Sequence, residues 1–190
     1  MRTQAERAAA FRALHQRPGA FIIPNPWDAG TARLLASLGF EALATTSLGL
    51  ANALGRADGA GAVGRQEVLE NCRAISGATD LPVNADLENG YAHEPRGAAE
   101  MIRLAAEAGV VGGSIEDATG DPANPIYEFS LAVERVHAAV EVARALPVPK
   151  SSASALTATW PWMLMRPKLN LASMSRPAQA KAPPPASVLS

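Results

Sequence analysis

Two pairs of carboxylates stand where short apolar runs give way to polar loops: Asp86 and Glu88 in VNADLENGY, and Glu116 and Asp117 in GGSIEDATG. The runs before them, Leu81 to Ala85 and Val110 to Ile115, read as strands, and a parallel βα fold keeps its chemistry in the loops that follow strands. Residues i and i+2 of a strand share a face. The spacing therefore predicts that Asp86 and Glu88 point the same way, with Glu116 at matching height on the neighbouring strand. Three convergent carboxylates repel one another unless a cation compensates them, and hard oxygen donors suit Mg²⁺ or Mn²⁺. One acid after a strand more commonly caps a helix or faces solvent. Three in register predict a divalent-metal site.

The elements that must hold these acids follow a regular rhythm. After an N-terminal helix, FIIPN (Phe21 to Asn25) precedes the helical pattern AGTARLLASLG, and ALATTS (Ala42 to Ser47) precedes a glycine-rich loop and RQEVLENCRAIS. LPVNA then leads to PRGAAEMIRLAAEAG, and VVGGSI to SLAVERVHAAVEVARAL. Continuous apolar strands separated by helices of this length predict an α/β fold with a parallel sheet covered by helices, in four βα units. Gly39 and Gly109 fall just past helix ends, where left-handed C-caps are expected.

Bulk properties exclude several classes. The formal net charge of −1 and pI near 6.3 over 190 residues give no global attraction to nucleic acid or anionic membrane. No apolar run approaches the roughly 18 residues of a membrane span, and the charged start MRTQAERAAAFRALHQRPGA lacks the apolar stretch of a signal peptide, so a cytoplasmic location is expected. Cys72, the single cysteine, excludes an intramolecular disulfide; lying in the helical pattern EVLENCRAI, it reads as a buried, inert thiol.

The rhythm stops near residue 150. LPVP (Leu146 to Pro149) resembles the start of a fifth strand, but no acidic residue follows Glu141, whereas six basic residues and eight of the 15 prolines do. The division expected is a partial barrel domain over 1–149 and a Pro/Ser/Ala-rich basic tail over 150–190. That tail is expected to be disordered and foreign to the fold, as translation out of frame would make it. Its sparse charge argues against a nucleic-acid-binding arm, although Trp160 and Trp162 lie within it.

The segments NPWDAGTARLLASLGFEALATTS, DLENGY and GVVGGSIEDATGD, in this order and spacing, resemble the isocitrate lyase and phosphoenolpyruvate mutase superfamily, in its mutase-like branch, from about Phe11 to Val148. The resemblance implies a (β/α)₈ barrel of which about the first half is present, truncated after the fourth βα unit; a complete barrel takes roughly 250 residues. It also implies Mg²⁺ (or Mn²⁺) and a small α-oxo or 2-hydroxy carboxylate at the carboxyl mouth, and homo-oligomers among full-length relatives. Position by position, Asp86 matches the direct metal ligand, Glu88 stands where many members have a second aspartate that holds metal-bound water, and Glu116 matches the acid ending the fourth strand. Thr46, Ser47 and Leu48 resemble the loop that grips the substrate's acidic group. Asp58, in GRADG, corresponds to an acid of the gating loop, although an isolated loop acid is more often merely solvated.

Two departures bear on activity. The loop lysine and cysteine of the lyase branch have no counterpart in DATGDPANPIYEF, and the arginine of the family's fifth strand has none either, because the pattern is lost at Lys150. The expected function is a Mg²⁺-dependent lyase or mutase acting at a C–C or P–C bond through an enolate. The alternative is a catalytically incompetent barrel fragment with a vestigial metal half-site. His15, His93 and His137 are acid–base candidates by residue type alone.

Overall fold

The computed structural model describes residues 1–59 and 61–146, together with the backbone of Met165–Arg166. Helix α1 (Gln4–Gln16) opens with a capping box, in which Glu6 N donates to Thr3 Oγ1 at 3.2 Å and Thr3 N to Glu6 Oε2 at 2.7 Å. Asp28 caps α2 (Ala29–Ser37) by accepting from Thr31 N at 2.7 Å, and Gly39 leaves that helix at φ 86°. Next come β1 (Leu43–Ala44), α3 (Ser47–Ala53), α4 (Arg65–Gly77) and β2 (Val83–Asp86). Then follow α5 (Pro95–Glu107), entered through a proline that needs no N–H there, β3 (Gly112–Glu116), α6 (Phe129–Ala145) and β4 (Met165–Arg166). Gly109 closes α5 at φ 94°, the left-handed exit expected of it.

The strands are parallel and ordered β1-β2-β3-β4. Ala44 pairs with Asn84, Asn84 with Gly112 and Asp86 with Ser114, so Glu116 stands two residues beyond the level of Asp86 and not at the matching height expected. Two expectations need amendment. Phe21–Asn25 runs beside β1 but is not a strand: Ala44 N donates to Pro24 O at 3.1 Å, while Pro24 and Pro26 have no N–H with which to complete a ladder. The loop expected after Ser47 begins instead with the seven-residue helix α3, capped by Thr46, whose hydroxyl accepts from Gly49 N at 3.3 Å. The expectation of a disordered tail over 150–190 falls outside the described residues, apart from β4, whose backbone pairs Ile115 with Met165 and Glu116 with Arg166.

Alternation gives the sheet two distinct faces. Leu43, Val83, Ala85 and Ile115 point outward into the main core, against Val68, Cys72 and Ile75 of α4, Met101, Ile102 and Ala105 of α5, and Ala139 and Ala143 of α6. The amino ends of the strands are closed by α1. Ala8, Phe11, Leu14, Ala42 and Val111 form a second buried cluster there, flanked by Phe21 and Ile23. Polar ties hold α1 across the same end: Gln4 Nε2 donates to Ala106 O and Val110 O at 2.7 and 2.8 Å, and the buried Arg7 donates to Ser76 O at 2.7 Å. No helix among the described residues is long and apolar enough to cross a membrane.

Candidate active site

The inner face of the sheet, with the segment around Asn25, lines a cavity of about 210 Å³. Its floor is Phe11, His15 and Ile23; its wall includes Ala44, Asn84 and Ser114; and Thr46, Asp86 and Glu116 stand at the carboxyl end. Small residues line the wall because the floor is filled from α1. A Cβ on Gly112 would lie 2.5 Å from Asn84 Oδ1 and 3.3 Å from Phe11 Cε1.

Asp86 is held by several hydrogen bonds. Its Oδ2 accepts from Ser47 N at 3.1 Å and Ser47 Oγ at 3.0 Å, its Oδ1 accepts from Glu88 N at 3.2 Å, and its own N–H donates to Thr45 Oγ1 at 2.9 Å. The chain after β1 thus fixes the carboxylate at the end of β2. Both donors of Ser47, expected in the substrate grip, are directed at Asp86. Thr46 lies on the cavity lining, and Leu48 is 52% exposed at the start of α3.

The expected alignment of Asp86 with Glu88 does not arise from strand geometry. β2 ends at Asp86, Leu87 turns into the core, and Glu88 adopts φ 44°, so the i, i+2 rule no longer applies to it. Glu88 is instead joined to Glu116 through the backbone, Glu116 N donating to Glu88 O at 2.6 Å. Its side chain sits near Tyr91, whose hydroxyl is pushed well up by burial and then by the Glu88 and Asp86 charges. The structure gathers Asp86 and Glu116 at one cavity, with Glu88 beside it. Among the described residues, no three His, Cys, Asp or Glu side chains are close enough to form a metal-holding group.

The remaining candidates are dispersed. Asp58 is exposed in the turn between α3 and α4, off the cavity lining. His15 lies on the cavity floor, its Nδ1 2.8 Å from Phe11 O. His93 Nδ1 lies 2.8 Å from Tyr127 Oη, and the exposed His137 lies 3.8 Å from Glu141. Cys72 is fully buried beneath the site, and burial pushes its thiol up to about 12, in keeping with an inert core residue. Sequence reasoning missed Asn84 and Ser114, the inner-facing polar residues of β2 and β3, although strand alternation from Asp86 and Glu116 points to both. It also missed Arg135, a cation in the apolar stripe of α6.

The model of the phosphoenolpyruvate phosphomutase family matches residues 11–150, the span over which the motifs were expected to hold. The chain belongs to this family. A solved structure from Burkholderia cenocepacia assigned as a lyase or mutase is 62% identical, with a TM-score of 0.74 over 77% of this chain and 51% of its own. A 2,3-dimethylmalate lyase, described as a member of the phosphoenolpyruvate mutase/isocitrate lyase superfamily, is 30% identical, with a TM-score of 0.66 over 76% of this chain and 50% of its own. A Corynebacterium glutamicum protein assigned as 2-methylisocitrate lyase 2 is 33% identical over 112 residues, 59% of this chain and 36% of that protein. The chain thus spans about half the length of these solved relatives and less of the curated one. Its α/β fold is the first half of the barrel type expected from the sequence, and family membership supports lyase or mutase chemistry in general.

Proposed function

We propose that the cavity is a Mg²⁺ (or Mn²⁺) site for lyase or mutase chemistry on a small α-oxo or 2-hydroxy carboxylate. The observation that carries this reading is the placement of Asp86 and Glu116 at the carboxyl ends of adjacent parallel strands on one inner face. The donor set fits the ion: Mg²⁺ is commonly bound through one or two carboxylates, with water and substrate oxygens completing the shell, so a third protein ligand is not required. Asp86 and Glu116 would hold it, with Glu88 close enough to orient bound water. When present, the metal would stabilise negative charge developing on a substrate oxygen. The chain's own residues do the remaining work. Ser47 holds Asp86 in one orientation, Thr46 on the cavity lining, with Leu48 after it by resemblance alone, would meet the substrate's acidic group, and Phe11 lies on the floor at the opposite end. Asp58 is proposed as the gating-loop acid on resemblance alone. A cytoplasmic location, absence of nucleic-acid and membrane partners, and homo-oligomers of full-length relatives are kept as parts of this reading.

A second reading, a metal half-site without turnover, is favoured by the loss of the family pattern at Lys150, where the expected fifth-strand arginine has no counterpart. Titration calorimetry with Mn²⁺ on the wild type, Asp86→Asn and Glu116→Gln tests the metal site. Affinity should fall at least about tenfold in each variant, which corresponds to about 1.4 kcal/mol. Equal affinity in all three proteins would remove the metal reading. Metal-dependent cleavage of 2-methylisocitrate or oxaloacetate, abolished by Asp86→Asn, selects the enzyme; binding without turnover of any small α-oxo or 2-hydroxy acid selects the half-site.

A further inference from the structure

Helix α6 turns Ala132, Ala139 and Ala143 inward, and Arg135 lies in the same stripe, 1% exposed. Its hydrogen bonds all end on main-chain carbonyls of the loop between β2 and α5: Ala92 O at 2.6 Å, and the carbonyls of Asn89 and His93. Its guanidinium lies over the Tyr127 ring, 4.2 Å from the centroid. Burying a cation whose hydrogen bonds go only to neutral acceptors is costly, and a shorter apolar side chain would pack the stripe without that penalty.

The loop that receives these bonds is itself strained. Glu88 and Tyr91 both occupy the left-handed region, at φ 44° and 55°, which non-glycine residues adopt only when their surroundings compel it. Gly90 between them is packed so closely that a Cβ would lie 3.1 Å from Ala98 Cα. In this conformation the Glu88 backbone meets both cavity acids, its N–H 3.2 Å from Asp86 Oδ1 and its carbonyl 2.6 Å from Glu116 N.

We propose that Arg135 is a positioning residue: by clamping three carbonyls it holds the strained loop through which Glu88 fixes Asp86 relative to Glu116, and thereby sets the site's affinity for a divalent cation. The affinity clause rests on the metal reading above; the clamp itself does not. Amide hydrogen exchange by NMR and Mn²⁺ titration are to be run on the wild type, Arg135→Met, Arg135→Lys and Ala139→Gly, the last loosening the same helix without touching the loop. In Arg135→Met, amides of Glu88 to Tyr91 and of Glu116 should exchange at least tenfold faster than in Ala139→Gly, with those of α2 unchanged. Arg135→Lys should fall between, because its ammonium keeps the charge but cannot span three carbonyls. Mn²⁺ affinity should fall at least tenfold further in Arg135→Met than in Ala139→Gly. The proposal is overturned if exchange in the loop and at Glu116 changes no more in the Arg135 variants than in Ala139→Gly. Should Arg135→Met fail to fold, Arg135→Lys carries the same comparison. Absence of Mn²⁺ binding by the wild type would defeat the metal reading, and exchange alone would then decide the clamp.

Discussion

The two ends of the sheet's inner face are built from opposite materials. At the amino end, α1 drives Phe11 against Gly112, and Ala8, Leu14, Ala42 and Val111 complete a dry seal. At the carboxyl end the same face presents Asp86 and Glu116, held by directional bonds from Ser47 and from the Glu88 backbone. The seal is non-directional and roughly proportional to area, so its removal is felt throughout the fold. The carboxyl end depends on a few aimed donors whose loss is local. Stability and chemistry are thereby separated by the length of a strand, and the two ends should respond differently to truncation.

The largest effect is expected at the seal. Phe11 is 1% exposed and packs edge-on against His15 and Phe21, with ring centroids at 4.5 and 6.4 Å. Phe11→Ala should lower unfolding free energy by about 3–5 kcal/mol, the range for large aromatic truncations in cores, read from urea denaturation. A loss below about 1 kcal/mol would show that α1 does not seal this end. Ser47→Ala, at the other end, removes one of two donors to Asp86 Oδ2 and leaves the backbone N–H in place. It should cost about 1 kcal/mol with the fold intact. A Ser47→Ala loss as large as that of Phe11→Ala would erase the contrast between the ends.

How legible each end was in the sequence follows from the same physics. The helices were readable from their apolar pattern and from the glycines at 39 and 109; the structure adds amino-end signals that went unread, in Thr3 with Glu6, Asp28 with Thr31, and Pro95. β2 and β3 were readable within about two residues because their outward faces are apolar. The first expected strand was not, since Pro24 and Pro26 remove ladder donors without altering the apolar pattern. α3 escaped notice because seven residues containing Gly49 carry little helical periodicity. At the site, Asp86 and Glu116 were placed correctly at strand ends. Glu88 was misaligned because alternation describes strands, and the chain leaves the strand at Asp86. Arg135 was passed over because an arginine on a helix usually faces water; its position within the Ala132–Ala139–Ala143 stripe was the available clue.

The smallest expected effect lies between the two ends, on the outer face, at Cys72. Its thiol is fully buried against β1, and burial raises it from 9.0 to about 12. For an acid that is neutral when protonated, a raised folded-state value means that the unfolded chain releases the proton first. The favourable difference is fully present below pH 9 and is lost as pH rises from there through about 12. At neutral pH the thiol's ionisation therefore contributes nothing to the balance. At pH 9.5 it should destabilise the wild type by roughly 0.8 kcal/mol relative to Cys72→Ala, which keeps a small apolar group at the position but cannot ionise. Urea midpoints of the two proteins at pH 7.5 and pH 9.5 measure this, and because Tyr91 is present in both, its own raised hydroxyl cancels to first order. The stability gap should narrow toward high pH. A gap independent of pH would mean that water reaches Cys72 beneath the site, and the separation of a dry outer core from a polar carboxyl end would then have to be redrawn.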